Sequence, residues 1–134
     1  MIDFKEEITG YLDLDFVSFN RQLVKICWGE HIVDGKVRET IDGRNFITEF
    51  KAKKGKNKFF STLRRYGLRY MEVYCKEDIN INYFGIQVCE YPFKEKKAKI
   101  YNPLRQRIYD VAKHTLVCCY HEHFEDCPWR EQSF

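Results

Sequence analysis

The sequence predicts an α+β domain, a mainly antiparallel β-sheet with N-terminal and C-terminal helices packed on it. Three observations carry this. Two Asp-Gly pairs, Asp34-Gly35 and Asp42-Gly43, separate alternating segments and signal hairpins. Residues 71–90 alternate again, which places a second hairpin there. Helix-start chemistry occurs near both ends, at Asp3 with Glu6 and at Asn102-Pro103.

Asp3 and Glu6 predict a short first helix that stops near Gly10. Asp15 or Ser18 caps a second over 16–28, because Phe16, Phe19, Leu23, Ile26 and Cys27 recur at helical spacing and Gly29 ends it. Strands are expected at 31–33, 36–41 and 44–52, and a helix over 57–67 ending at Gly67. Met71, Val73 and Cys75 alternate as a strand. Ile79, Ile81 and Tyr83 follow one parity and Ile86 and Val88 the other, which predicts a bulge or turn at Phe84-Gly85. After a charged loop around Pro92, Asn102 caps a helix whose buried stripe is Leu104, Ile108, Val111, Ala112 and Thr115. The run Thr115–Tyr120 reads either as the buried end of that helix or as a new strand. An acidic tail, partly ordered, occupies 122–134.

The chain has 134 residues, 44% of them apolar and 32% charged, so a single domain over 1–134 is expected, neither disordered nor membrane-embedded. Its longest apolar run is far below the about 20 residues that span a bilayer. The N-terminus carries acids where a secretory signal carries a basic patch, which predicts an intracellular protein of the cytoplasm or nucleus.

The net charge of +3 hides its distribution. Residues 51–76 hold nine Lys or Arg and one Glu, a local balance of +8, and the other 108 residues sum to −5. Basic side chains neutralise phosphates and aromatic rings stack on unpaired bases. The leading expectation is therefore a small protein without an enzymatic cycle that binds RNA or DNA, as a virus- or phage-type accessory factor does. Lys51, Lys53, Lys54, Lys56 and Lys58 would meet phosphates, Arg64, Arg65 and Arg69 would extend the track, and Tyr66 and Tyr70 would stack. An acidic protein partner, in an interaction or inhibitor module, is the rival use of the same charge.

A two-residue turn at Asp42-Gly43 would set Asp34 opposite Lys51 and Lys36 opposite Glu49. Asp34, Glu49 and Lys51 would then share one face. Two carboxylates and a lysine so placed can hold a divalent metal and polarise a phosphate. Asp34 followed by Glu49-x-Lys51 resembles the PD-(D/E)xK nuclease signature. That resemblance implies magnesium- or manganese-dependent cleavage, with Glu30 able to stand in for an acid from the leading helix.

Cys119, His121, His123 and Cys127 are thiol and imidazole groups, the preferred ligands of zinc. They form a second candidate site, with Cys118 and His114 as substitutes. Cys27, Cys75 and Cys89 lie in apolar patterns and are expected in the core. His31, beside Glu30, is a candidate acid–base pair.

Overall fold

The computed structural model describes residues 1–92, 94, 97–121 and 123–129, and the architecture is a β-fold with one helix among those residues. Nine strands run in chain order: β1 (Ile2–Ser18), β2 (Gln22–Gly29), β3 (Ile32–Val33), β4 (Lys36–Val37), β5 (Thr40–Ile41), β6 (Arg44–Asn45), β7 (Ile47–Ala52), β8 (Gly55–Cys75) and β9 (Ile79–Val88). The helix, α1, spans Pro103–Cys118. Five strands form an antiparallel sheet in the order β7-β2-β8-β1-β9, and β3-β4 and β5-β6 are two small hairpins inserted between β2 and β7.

This corrects the α+β reading. The segments 3–10, 16–28 and 57–67, expected as helices, are strands or parts of strands. The period of two decides it. Leu12, Leu14, Phe16 and Ser18 of β1 are buried on one face, and Val24, Ile26 and Trp28 of β2 on another stretch of the same core. Phe16, Phe19, Leu23 and Ile26 imitate a helical stripe only because the 19–21 turn lies between two strands. Each fully buried apolar side chain of this set contributes roughly 1.5–3 kcal/mol of transfer free energy, enough for pairing to override local helix signals.

The sheet curls onto itself. Phe50 of edge strand β7 meets Phe16 of β1 edge-on at 5.8 Å and Phe59 of β8 at 5.4 Å, although β7 and β1 are three places apart in the strand order. Phe84 of β9 closes the same cluster at 5.3 Å from Phe16. A second aromatic cluster sets Trp28 against Phe46 at 5.0 Å and Tyr66 at 4.8 Å.

Both Asp-Gly turns form as expected. Asp34 and Gly35 have φ of 52° and 76°, Asp42 and Gly43 of 48° and 76°, the left-handed pair that two-residue hairpin turns require. The expected irregularity near Phe84-Gly85 is found slightly earlier: the β1–β9 register slips between Asp15↔Tyr83 and Phe16↔Ile81, leaving Asn82 as the extra residue.

The C-terminal helix begins where Asn102-Pro103 places it, with the Asn102 side chain accepting a hydrogen bond from the Arg105 N–H at 3.1 Å. Its orientation is the opposite of the expectation. Leu104, Ile108, Val111, Ala112 and Thr115 are exposed, while Gln106, Tyr109, Lys113, His114 and Val117 are partly covered and only Cys118 is buried. The 115–118 run is the end of the helix, and Tyr120 makes an isolated bridge to Phe124.

The tail returns to the sheet. Glu125 forms a buried ion pair with Arg65 of β8, Pro128 lies on Gly67, and Trp129 meets Phe46 at 4.8 Å. Gly67 is required there, because a Cβ at that position would come within 2.7 Å of Pro128. Residues 130–134 of the expected tail lie outside the described residues. No described helix is long and apolar enough to cross a membrane.

Candidate functional site

The basic segment does not form one continuous track. Lys51, Lys53, Lys54, Lys56 and Lys58 are exposed around the β7–β8 turn. That turn is held by Asn57, which accepts from the Lys53 N–H at 2.9 Å and donates to the carbonyls of Lys53 and Gly55, both at 2.8 Å. Gly55, with φ of 93°, supplies the backbone conformation the turn needs. Arg21, Gln22, Leu23, Lys51, Ala52 and Lys53 line a groove of about 520 Å³ beside it.

Two of the residues that were to continue the track, Arg65 and Tyr66, are buried, and the others make local contacts at the surface. Arg65 is buried against Glu125, and Tyr66 is in the core with its hydroxyl 3.1 Å from Thr48 Oγ1. Arg64 lies over the Trp28 ring at 4.7 Å. Arg69 stacks on Tyr70 at 4.9 Å and donates to Asp3 at 3.1 Å, which holds the Asp3 carboxyl down at about 2. Arg65 and Tyr66 are thus consumed internally, whereas Arg64 stays exposed and Arg69 and Tyr70 are partly exposed.

The nuclease-like ladder is not formed. Asp34 is at the tip of the β3–β4 hairpin, and Lys36 pairs with Val33. Glu49 faces Lys25 and Lys51 faces Leu23, because β7 pairs with β2 and not with the 31–37 segment. The expected register holds at Ile41↔Arg44 and Thr40↔Asn45 and extends to the Phe46 N–H, which donates to the Glu39 carbonyl at 2.9 Å. Beyond it Phe46 turns into the core beside Trp28, which ends the two-stranded ribbon.

The C-terminal Cys and His residues are near in sequence but engaged separately. His121 Nε2 donates to the Cys118 carbonyl at 3.1 Å, and the exposed His123 Nε2 is 3.7 Å from Glu125. Burial pushes the Cys118 thiol up to about 12 and raises Cys119, favouring neutral thiols over thiolates. Among the described residues, no group of three or more His, Cys, Asp or Glu side chains is arranged to hold a metal ion. Of the cysteines expected in the core, Cys27 is buried, Cys89 partly buried and Cys75 exposed. His31 Nδ1 and Glu30 are 4.0 Å apart.

A site that sequence reasoning did not assemble lies under the C-terminal end of α1. Glu7, Glu30, Thr115, Cys118, Asp126, Cys127, Pro128 and Trp129 line a cleft of about 440 Å³. Glu7 reaches it through a β1 irregularity. Lys5 takes φ of 74°, its N–H bonded to Asp3 Oδ1 at 2.8 Å, and the β1–β8 register breaks between Asp3 and Ile8. The helix grips this strand by its main chain, with His114 Nε2 2.7 Å and Cys118 Sγ 3.5 Å from the Glu7 carbonyl oxygen. Glu30 enters from the end of β2. Burial, and then the charge of Glu30 and a hydrogen bond with it, lift the Glu7 carboxyl to about 8. Glu7 Oε1 is buried without a hydrogen-bond partner among the described residues. At neutral pH the Glu7 carboxyl is therefore largely protonated, able both to donate and to accept. Glu7 is on β1 and Glu30 just past the end of β2, 23 positions apart, so no local spacing could have revealed the pair.

No family profile and no curated protein matches the chain. Among solved structures it is similar to the GH78 family rhamnosidase of Bacillus sp. GL1, with a TM-score of 0.84 and 21% identity. The match covers 99% of this chain and 14% of that one, so the chain spans about one seventh of that protein's length. The likeness establishes the fold.

Proposed function

We propose that this chain is the β-sheet module of a carbohydrate-acting protein, and that the cleft under α1 receives a hydroxyl-bearing sugar. The Glu7–Glu30 carboxyl pair carries this reading. Sugar hydroxyls both donate and accept, and the protonated Glu7 carboxyl, with its O–H and its carbonyl oxygen, answers both roles. Trp129 adds an aromatic wall of the kind that binds the apolar face of a sugar ring. The fold's presence within a rhamnosidase supports the same class of ligand. Calorimetric titration with rhamnose and a panel of other mono- and oligosaccharides tests it. Dissociation constants between about 1 mM and 1 µM are expected, weakened at least tenfold by Glu7→Gln or Trp129→Ala. Absence of binding across the panel sinks the reading.

The exposed lysines favour a second reading, polyanion binding at the β7–β8 turn. Lys51, Lys53, Lys54, Lys56 and Lys58, with Arg21 in the adjoining groove, would contact the phosphates of RNA or DNA. The six free cysteines suit a reducing compartment, cytoplasm or nucleus. Retention on nucleic acid that weakens steeply with salt, and disappears in a Lys53→Glu, Lys54→Glu, Lys56→Glu variant, would support it. Binding indifferent to those charges would remove it.

A further inference from the structure

We propose that a second groove, on the outer face of the sheet, binds one uncharged sugar ring between Tyr11 and Phe60. The ligand class rests on the carbohydrate function proposed for the chain, while the site itself is separate, sharing no lining residue with the cleft under α1. Its volume of about 460 Å³ falls in the range of roughly 300–1,000 Å³ that small-molecule sites occupy.

An irregularity of β8 builds one wall. Tyr11 pairs with Arg65 and Asp13 with Phe60, so β1 advances by two residues while β8 advances by five. The three extra residues make a bulge, closed by the Ser61 hydroxyl donating to the Arg64 carbonyl at 2.9 Å. Thr62 of this bulge lines the groove together with Phe60, which is 40% exposed. The end of β9 builds the other wall. Gln87 pairs with Tyr11 and Val88 with Gly10, and the Cys89 N–H continues the ladder by donating to the Thr9 carbonyl at 2.9 Å. Gly10 permits this close approach, because a Cβ there would collide with the Gln87 carbonyl oxygen. Tyr11 lies between the walls, since β1 separates β8 from β9. It alternates with the buried Leu12, so its ring is on the face away from the core, 6.0 Å from the Phe60 ring and tilted 47° to it.

The lining selects a ligand by what it offers and what it lacks. No Lys or Arg lines the groove and Glu90 is its one charge, so it favours no anion. The Tyr11 and Thr62 hydroxyls, the Gln87 amide and the Glu90 carboxylate make no hydrogen bond among the described residues, and together they supply both donors and acceptors. A purely apolar ligand would strip water from these groups without replacing its hydrogen bonds. A sugar ring brings C–H groups to the two aromatic rings and hydroxyls to the polar groups around them, and so meets both demands.

Backbone amide NMR shifts of the full chain, titrated with rhamnose, glucose, galactose and their methyl glycosides, test this. Saturable shifts are expected at Tyr11, Thr62, Gln87 and Val88, with a dissociation constant of about 1 mM. Phe60→Ala should weaken binding about tenfold, and Gln87→Ala, at an exposed side chain, about threefold. Parent-like affinity in either folded variant overturns the proposal. So do saturable shifts confined to Glu7, Glu30 and Cys127, which leave the cleft under α1 as a sugar site. Shifts at the groove alone keep this site and remove the cleft, and no saturable shift at either place removes both. Phenol saturating the groove amides at a lower concentration than every sugar also overturns the proposal, since it marks a pocket for aromatic ligands.

Discussion

Glu125, in the segment that follows α1, is ion-paired with Arg65 in the middle of β8, their side chains 4% and 8% exposed. Two charges removed from water so completely depend on each other. Removing one leaves the other buried, which is destabilising by about 3–5 kcal/mol, whereas replacing both by apolar residues of similar volume is often neutral. Glu125→Ala should therefore destabilise strongly in urea unfolding. The double change Arg65→Met, Glu125→Leu should recover most of the loss.

Gly67→Ala should detach the tail without disrupting the sheet. The new Cβ would meet Pro128 at 2.7 Å and its carbonyl at 2.8 Å, so the 128–129 segment must move. Overpacking of this kind is destabilising by about 1–3 kcal/mol. Trp129 would leave Phe46 and the Arg44 guanidinium 5.3 Å from its ring, and a red shift in tryptophan emission reports that.

The Glu7 carboxyl predicts a pH dependence of definite sign. Its folded value of about 8 lies above the ordinary 4.5, so between those pH values the folded chain holds a proton that the unfolded chain lacks. The contribution is complete below about 4.5 and is lost as pH rises toward 8. Melting temperatures between pH 5 and 8.5 should fall more steeply for the parent than for Glu7→Gln. Sugar binding at the cleft should weaken over the upper part of the same range. Parallel melting curves for the two proteins would exclude this coupling.

Phe50→Ala tests the curl of the sheet. Its ring bridges Phe16 and Phe59, and aromatic truncations in a core are destabilising by about 3–5 kcal/mol. This ring is only partly buried, so a loss near the lower end is expected in equilibrium unfolding. Phe124→Ala, at an exposed ring stacked on Tyr120, should be much milder.

How far the sequence revealed this fold depends on whether the signal was local. Asp34-Gly35, Asp42-Gly43 and Asn102-Pro103 specify backbone geometry within four residues, and each produced the turn or helix start it implied. The alternation of β9 was visible for the same reason. β1 and β2 were misread because Asp3, Asp15 and Ser18 look like helix caps, while the side chains that make them strands, Leu12, Leu14 and Trp28, declare themselves only against β8 and β9. Of the basic segment, the five lysines and Arg64 are at the surface, whereas Arg65 and Tyr66 are buried. Arg65 and Tyr66 are consumed by Glu125 and Thr48, partners 60 and 18 residues away. The Glu7–Glu30 pair was illegible for want of any local motif joining the interior of β1 to the residue after β2.

The pairing of Ile2 with Met71 and of Gly10 with Val88 sets an order of events on the ribosome. β1 emerges before both of its sheet neighbours and stays unpaired until β8, and then β9, have been made. Closing loops this long before any reward makes such topologies slow to fold. Until then β1 is an open, apolar edge. Its survival falls to the charges along it, Asp3, Lys5, Glu6, Glu7, Asp13 and Asp15, which act as gatekeepers against pairing with the wrong chain.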